Sequence, residues 1–264
     1  LFRAGLFAME KENILEVCAA SLASVKEAAA GGASRIELCS ALGEGGVTPS
    51  AGFISMAGKV AADAGMRMHV LIRPRGGDFV YDADEIGCMV ADIRMARQCG
   101  ADGVVIGALR PDGNIDIDTC GRLMDEAVDM SVTFHRAFDM CREPHEALEA
   151  VIRLGCHRIL TSGCAPSAEK GVGTLAALNR LANGRIIILP GAGVNSGNAA
   201  SILEHSGCCE IHASARRRRD SAMDFRHPGV SMGEAGADEF SRMETSRDVV
   251  AAIVKAINRS NCRI

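Results

Sequence analysis

Eight short runs rich in β-branched and other apolar residues recur along this 264-residue chain, at intervals of 21 to 35 residues. Segments rich in alanine and leucine with helical spacing lie between most of these runs. This alternation predicts a parallel sheet whose strands are joined by right-handed crossover connections. The predicted strands are residues 14–19, 35–39, 68–73, 103–108, 132–137, 158–163, 186–191 and 210–215.

The number of strand–helix units decides between two kinds of parallel sheet. Eight units fit a closed (β/α)8 barrel, the TIM barrel, better than an open doubly wound sheet. The first predicted strand is not followed by the Gly-x-Gly-x-x-Gly pattern of dinucleotide-binding folds, so we expect no nucleotide cofactor. We therefore predict the fold class α/β, with a single TIM-like barrel domain over residues 1–264.

Two segments fall outside the repeating pattern. Residues 1–8, which precede Met9, are expected to be a tag or a disordered N-terminus. Residues 216–240, after the eighth predicted strand, contain little regular pattern and are predicted to form a long loop. Because long loops often carry function, we interpret this one as a lid over the barrel mouth.

Composition argues against several classes of partner. The net charge of −4 gives no general attraction to nucleic acid or to an anionic membrane, and no apolar run reaches the roughly 18 residues of a membrane-spanning helix. With one tyrosine and no tryptophan, an aromatic platform for nucleic acid is not expected. The eleven cysteines are odd in number and lack zinc spacing, which favours a reduced cytoplasmic protein. A homodimer is compatible with these features.

The first two predicted strands end in the same unusual pair of side chains, Glu16 with Cys18 and Glu37 with Cys39. Alternate residues of a strand share a face, so each carboxylate lies on the same side as its cysteine. Carboxylates are rarely buried without a partner, and a reduced thiol is a soft metal ligand. Since active sites of TIM barrels lie at the carboxyl ends of the strands, these two pairs form a candidate site.

The other strand ends suit the chemistry of a small anionic or phosphorylated substrate. Glu16, Glu37 and His135 are suitable general acids or bases, and Arg73 completes the hypothetical catalytic set. Glycines after the seventh strand let backbone N–H groups approach an oxyanion, as in the phosphate site of many TIM barrels. An isomerase, epimerase or lyase would use such residues. The candidate substrate- or anion-binding residues are Arg75, Arg136, Asp139, Thr161, Ser162, Gly191, Gly193, His212, Ser214 and Arg216.

Several longer motifs resemble a known family. They are Glu-Leu-Cys (37–39), Glu-Gly-Gly-Val-Thr-Pro-Ser (44–50), Ile-Arg-Pro-Arg-Gly-Gly-Asp-Phe (72–79), Val-Thr-Phe-His-Arg-Ala-Phe-Asp-Met (132–140), Ile-Leu-Thr-Ser-Gly (159–163), Gly-Ala-Gly-Val (191–194), His-Ala-Ser-Ala (212–215) and Met-Asp-Phe-Arg (223–226). Together they resemble the CutC family, whose members are called copper homeostasis proteins. The resemblance implies a cytoplasmic TIM-like barrel that binds copper(I) through Cys18 and Cys39. It assigns no role to the arginine run 217–219.

Residue chemistry leaves alternatives to copper binding open. Two thiolate sulfurs that each lie about 2.3 Å from a soft ion are up to roughly 4.6 Å apart. Cysteine side chains on neighbouring strand ends can reach this separation. Glu16 and Glu37 would raise the thiol pKa values unless Arg73 or Arg75 compensates, and the carboxylates could instead form a structural ion-pair network with Arg73. The cysteines could also be small apolar core residues.

Three functions therefore follow from the sequence as hypotheses. The first is a copper(I)-handling protein, and the second is a TIM-barrel enzyme that acts on a small anionic molecule. The third is a non-catalytic interaction protein, which an exposed apolar patch without an open pocket at the barrel mouth would favour.

Overall fold

The computed structural model describes residues 13–227, 229–230 and 238–258. Eight parallel strands in this part of the chain form the central sheet. They are β1 (Ile14–Ala19), β2 (Arg35–Leu38), β3 (Arg67–Leu71), β4 (Gly103–Ile106), β5 (Ser131–Phe134), β6 (Arg158–Thr161), β7 (Ile187–Pro190) and β8 (Glu210–Ala213). The α-helices are α1 (Leu22–Ala30), α2 (Ala51–Asp63), α3 (Ala83–Gln98), α4 (Ile117–Glu126), α5 (Pro144–Arg153), α6 (Val172–Ala182), α7 (Ala199–Ser206) and α8 (Arg247–Ile257).

The strands follow one another around a nearly closed barrel. Their order is β7-β6-β5-β4-β3-β2-β1-β8, and every hydrogen-bonded pair is parallel. Strands β7 and β8, at the two ends of this order, also lie beside each other. The prediction of a single (β/α)8 TIM-like barrel is therefore confirmed. The expectation for residues 1–8 concerns residues outside the described ranges.

Local sequence signals set the starts of several helices. The Ser21 side chain accepts a hydrogen bond from the backbone of Ser24 and caps α1, and Asp82 and Glu85 form a capping box on α3. Helix α5 begins with Pro144 in its first turn, as the sequence predicts. These caps fix where the chain leaves each loop, and so they fix the loops that form the barrel mouth.

The predicted strands extend too far at their carboxyl ends. The fifth was expected to continue to Ala137 but ends at Phe134, because His135 caps a 3-10 turn over Arg136–Met140. The second ends at Leu38, so that Cys39 is the first residue of the following loop. Apolar residues, Cys39 after the second strand and Ala137 after the fifth, occur past the last ladder position in these loops. Pattern alone therefore does not show where a strand stops.

Residues 216–240 are not a loop throughout, which corrects the prediction for their first part. Arg216–Asp220 forms a ninth strand, β9, paired antiparallel with a tenth, β10, over Ser241–Thr245. The β9–β10 ribbon is joined to α1 by a hydrogen bond from the Thr245 backbone to Ser24 Oγ (3.2 Å). Four consecutive arginines give no alternation of apolar and polar residues, so hydrophobic periodicity could not reveal this strand.

The side chains of the strands separate into two layers. Residues such as Leu15 and Val17 point outward and pack against the helices in the main apolar core. The inward face is polar near the amino ends of the strands, where Arg35 contacts both Glu16 and Glu210, the latter at 2.5 Å. Farther along the axis, the interior contains a small apolar cluster in which Cys18 and Cys39 pack against Leu71 and Val105. This inner layer carries the candidate site.

Two further findings concern the chemical environment of the chain. Within the described ranges, no helix combines the length and the hydropathy needed to cross a membrane. Nine cysteines there are free thiols, whereas Cys209, directly before β8, is disulfide-bonded.

Candidate functional site

Cys18 and Cys39 meet inside the barrel. Cys18 lies in β1 opposite Glu37 of β2, and Cys39 follows two positions later, so both sulfurs reach the same level of the barrel interior. Their Sγ atoms are 3.4 Å apart, and both side chains are buried. The structure thus brings the two predicted sulfur ligands into direct contact.

His212 of β8 joins this sulfur pair to the carboxylates. Its Nδ1 atom is 2.8 Å from Glu16 Oε1, and its Nε2 atom is 3.7 Å from Glu37 Oε2. Cys18, Glu37 and His212 each offer one possible metal-ligand atom, and these three atoms lie within 4.8 Å of one another. The sequence predicted His212 only as an anion-binding residue, because its pairing with Glu16 depends on a strand contact across 196 residues.

The charges within this cluster follow from its partners. Burial disfavours the ionised form of Glu16, but the Arg35 guanidinium and His212 outweigh it and lower the pKa of this carboxyl well below its ordinary value. Burial also opposes protonation of His212. Its interactions with Cys18 and Glu16, together with the charge of Glu37, prevail and raise the pKa of His212 well above its usual range. At neutral pH, Glu16 and His212 therefore form an ion pair.

The thiol of Cys18 is held in its protonated form. Its contact with Cys39, followed by burial, raises the pKa of Cys18 well above that of a free cysteine. Burial likewise raises the pKa of Glu37. The carboxylate effect expected from the sequence is a small part of this shift, because the charge of Glu37 raises the pKa of Cys18 less than Cys39 and burial do.

Arg73 is not the partner of the buried carboxylates, and the suggested ion-pair network with Arg73 is wrong. Its Nη1 atom donates to the carbonyl oxygens of Glu44 and Gly46 (2.9 Å each), and its Nη2 atom donates to that of Gly77 (2.7 Å). Arg35 takes the role expected of Arg73 by pairing with Glu16.

Sequence reasoning missed the ionic network beneath the site. Arg35 pairs with Glu16 and Glu210, and Arg158 donates to Glu210 at 2.8 Å. A signal was present, because Arg35 stands two residues before Glu37, and Glu210 stands two residues before His212. The period of two along a strand places each on the same inward face as its chemically active neighbour.

His135 is a buried, neutral residue at the carboxyl end of β5. Burial, reinforced by the charge of Arg73, lowers the pKa of His135 to about 3. Its Nδ1 atom accepts a hydrogen bond from the Ala137 backbone (3.1 Å), so the proton of the neutral ring resides on Nε2. A Cβ at Gly107 would lie 2.5 Å from the His135 ring, and the glycine therefore makes room for the imidazole.

A cavity of about 310 Å³ opens above the sulfur pair at the carboxyl ends of the strands. The predicted site residues that line it are Cys18, Cys39, Glu37, Arg73, His135, Arg136, Gly193, His212, Ser214 and Arg216. Leu42, Leu71 and Phe79 are among its apolar lining residues. Residues from opposite sides of the barrel thus share one pocket.

The remaining candidates do not line this cavity. Arg75 pairs with Glu85 and Asp78 at the outer surface, and Glu16 lies fully buried below the sulfur pair. Asp139 accepts hydrogen bonds from Thr161 and from the Ser162 backbone (3.0 Å), which ties the loops after β5 and β6 together. Gly191 packs against Leu160 and His212, where a Cβ would be 2.6 Å from a methyl group of Leu160.

Fold and site together define a TIM-barrel protein with a thiol, imidazole and carboxylate cluster beneath an open mouth. Comparison with known proteins then identifies the family. The model of the CutC family matches residues 13–217, and the chain belongs to that family.

Similar proteins agree with this assignment. A family protein CutC of Chromobacterium violaceum is 50% identical over 249 residues, which cover 94% of this chain and 100% of that protein. One from Porphyromonas gingivalis strain W83 is 49% identical, over 91% of this chain and 96% of the relative. A crystal structure of CutC from Streptococcus agalactiae, provisionally described as a copper homeostasis protein, matches at 32% identity with a TM-score of 0.74. It covers 76% of this chain and 98% of that structure.

A more distant solved structure shares the fold alone. Thiamine phosphate pyrophosphorylase from Pyrococcus furiosus is 15% identical, with a TM-score of 0.59 over 94% of this chain and 96% of its own. The barrel architecture is therefore common to proteins outside the CutC family.

Proposed function

We propose that the protein binds copper(I) as cargo through the sulfurs of Cys18 and Cys39, and handles it in the reducing cytoplasm. The observation that carries this proposal is the 3.4 Å contact between the two Sγ atoms beneath an open cavity. The Streptococcus agalactiae relative, described as a copper homeostasis protein, points in the same direction.

The donor set suits a soft monovalent ion. Thiolates select copper(I) over hard cations such as Mg²⁺ and Ca²⁺. With each sulfur about 2.3 Å from the ion, a linear site needs the sulfurs about 4.6 Å apart, and a trigonal site needs about 4.0 Å. The two Sγ atoms are 3.4 Å apart in the structure, and a modest rotation of both side chains would bring them to the linear or the trigonal separation. His212 lies close to Cys18, and as an imidazolium it supplies positive charge there and not a third ligand.

Copper binding must displace protons at this site. Because the pKa of Cys18 is raised, the free protein holds this group as a thiol, and loading with copper releases that proton. The apparent affinity for copper(I) therefore decreases as the pH falls. The ion pair between Glu16 and His212 keeps a positive charge beside the sulfurs, which offsets part of the negative charge of two thiolates.

An anaerobic titration tests this proposal. Copper(I) is added in competition with a chromophoric chelator to the parent protein, to Cys18→Ser/Cys39→Ser, and to Cys88→Ser/Cys99→Ser. The control pair also lacks two sulfurs, but they lie at α3, outside the cluster. We expect the first variant to lose one tightly bound equivalent and the control to keep it. Parent-like affinity in Cys18→Ser/Cys39→Ser would refute the proposal.

The open mouth bears on the two other hypotheses. The non-catalytic interaction protein is not favoured, because the barrel mouth holds an open cavity of about 310 Å³ that is lined in part by charged and polar residues. A second function, acid–base catalysis on a small anionic molecule, is favoured by Glu37 and His212, whose side chains line that cavity 3.7 Å apart. Turnover of candidate substrates by the parent protein, lost in Glu37→Gln, is its test.

A further inference from the structure

We propose that the barrel mouth is a binding site for a small organic phosphate, held by Arg73, His135 and Arg216 above the sulfur pair. This site goes beyond copper binding, because it uses different residues and a different chemical class of ligand. Its physical basis is an excess of positive charge and of hydrogen-bond donors on the cavity wall.

The charges on the wall are unbalanced. Three guanidinium groups line the cavity, whereas Glu37 is the one carboxylate among its described lining residues, and Glu37 already faces His212. Arg136 is neutralised by Asp139 at 2.7 Å. Arg73 and Arg216 have no carboxylate partner among the described residues. A phosphate monoester carries a charge close to −2 at neutral pH, which matches these two guanidinium groups.

Three donors around the same cavity lack acceptors. The Nε atoms of Arg73 and Arg216 and the Nε2 atom of His135 are buried and have no hydrogen-bond partner within the described part of the chain. Each carries a proton, since Nδ1 of His135 is the ring's acceptor. Burying an unsatisfied donor is unfavourable, so three at one cavity need an explanation. The three terminal oxygens of a phosphate monoester would supply the missing acceptors.

Phe79 covers two of these donors. Its ring centroid is 5.0 Å from that of His135, and the Arg73 guanidinium lies 4.9 Å from the ring centre. Phe79 is half-buried and lies two residues after Gly77, whose φ of +84° is a left-handed conformation that favours glycine. A ligand that reaches both donors turns this ring aside, and binding therefore changes the loop after β3.

The loop after β7 adds backbone donors from the opposite wall. Gly193 and Val194 line the cavity, and across the described ranges their N–H groups donate to no backbone or side-chain acceptor. Gly193 has a φ of +73°, and a Cβ there would lie 3.2 Å from that of Ser167, so a glycine suits this turn. A cavity of about 310 Å³ is at the lower end of the range for ligand sites, which suits a small metabolite.

Isothermal titration of the copper-free, reduced full chain with glycerol 3-phosphate and with inorganic phosphate tests the site. We expect saturable binding of glycerol 3-phosphate that is tighter than that of inorganic phosphate, because the cavity also accommodates the carbon skeleton. Arg216→Gln should weaken the binding by about tenfold or more, since it removes a charge-assisted hydrogen bond. Arg217→Gln is the matched control, as this exposed neighbour in β9 does not line the cavity.

Several outcomes would overturn the assignment. Absence of saturable binding to the parent protein is one, and equal weakening by Arg216→Gln and Arg217→Gln is another, because it would indicate general attraction to the basic ribbon. Inorganic phosphate binding as tightly as glycerol 3-phosphate would exclude an organic ligand. Glycerol 3-phosphate binding is measured on the copper-free parent protein, and copper(I) binding is measured in the separate chelator titration, so failure of the copper proposal and failure of this one are distinguishable.

Discussion

Glu16 connects the two polar parts of the barrel interior. Strand β1 lies between β2 and β8, and the register places Glu16 beside Arg35 on one side and His212 on the other. One carboxylate thus neutralises a guanidinium from the lower network and an imidazolium from the candidate site. Its position explains how a fully buried acid remains ionised.

Glu16→Gln should destabilise the protein strongly. The change leaves the buried charges of Arg35 and His212 short of a partner, and breaking such a network costs about 3 kcal/mol or more. Urea unfolding at neutral pH measures the change in the free energy of unfolding. Glu126→Gln is the control, because Glu126 pairs with Arg94 at the surface, and we expect it to change stability little. Equal losses in both variants would contradict this account of Glu16.

At the scale of elements, Arg73 fastens two loops of the mouth to each other. It follows β3, and its guanidinium binds carbonyl oxygens both in the loop after β2 and in its own loop. The Thr48 side chain adds a hydrogen bond from the Arg73 backbone (2.9 Å). Arg73 and Thr48 together therefore hold the rim beside the sulfur pair.

Arg73→Lys should loosen this rim without unfolding the barrel. A lysine keeps the charge, but its single ammonium group cannot reproduce the planar fork that reaches three carbonyl oxygens. Hydrogen–deuterium exchange should become about fivefold faster or more in residues 42–47 and 76–79. Arg75→Lys is the control, since the hydrogen bonds of Arg75 to other described residues all lie within residues 76–85. Unchanged exchange at 42–47 in Arg73→Lys would show that other contacts hold the loop.

The sequence predicts the elements well where the pattern is local. Eight strand–helix units follow from apolar periodicity, and the shared inward face of Glu37 and Cys39 follows from the period of two. Side-chain partners on different strands cannot be predicted in this way, because the contact of His212 with Glu16 depends on how β8 pairs with β1. The β9–β10 ribbon is missed because its charged side chains hide the strand pattern.

At the scale of the whole molecule, the polar barrel interior couples stability to pH. Burial lowers the pKa of His69 to about 4 and that of His135 to about 3. His212 has the opposite shift, so its contribution is complete below pH 6.5 and is lost as the pH rises through its folded-state pKa. Histidine in the unfolded chain has a pKa near 6.5. His69 and His135 therefore change the stability below this pH, and His212 changes it above this pH.

We expect stability to fall on the acid side of about pH 6.5. Below this pH, His69 and His135 bind protons in the unfolded chain but stay neutral in the folded protein. Each therefore lowers the free energy of unfolding by up to about 1.4 kcal/mol per pH unit. Urea unfolding at pH 7, 6 and 5 should show a shallower acid decline in His69→Gln than in the parent. His145→Gln, at an exposed site, should keep the parent slope. An equally steep decline in His69→Gln would mean that His69 is protonated in the folded barrel.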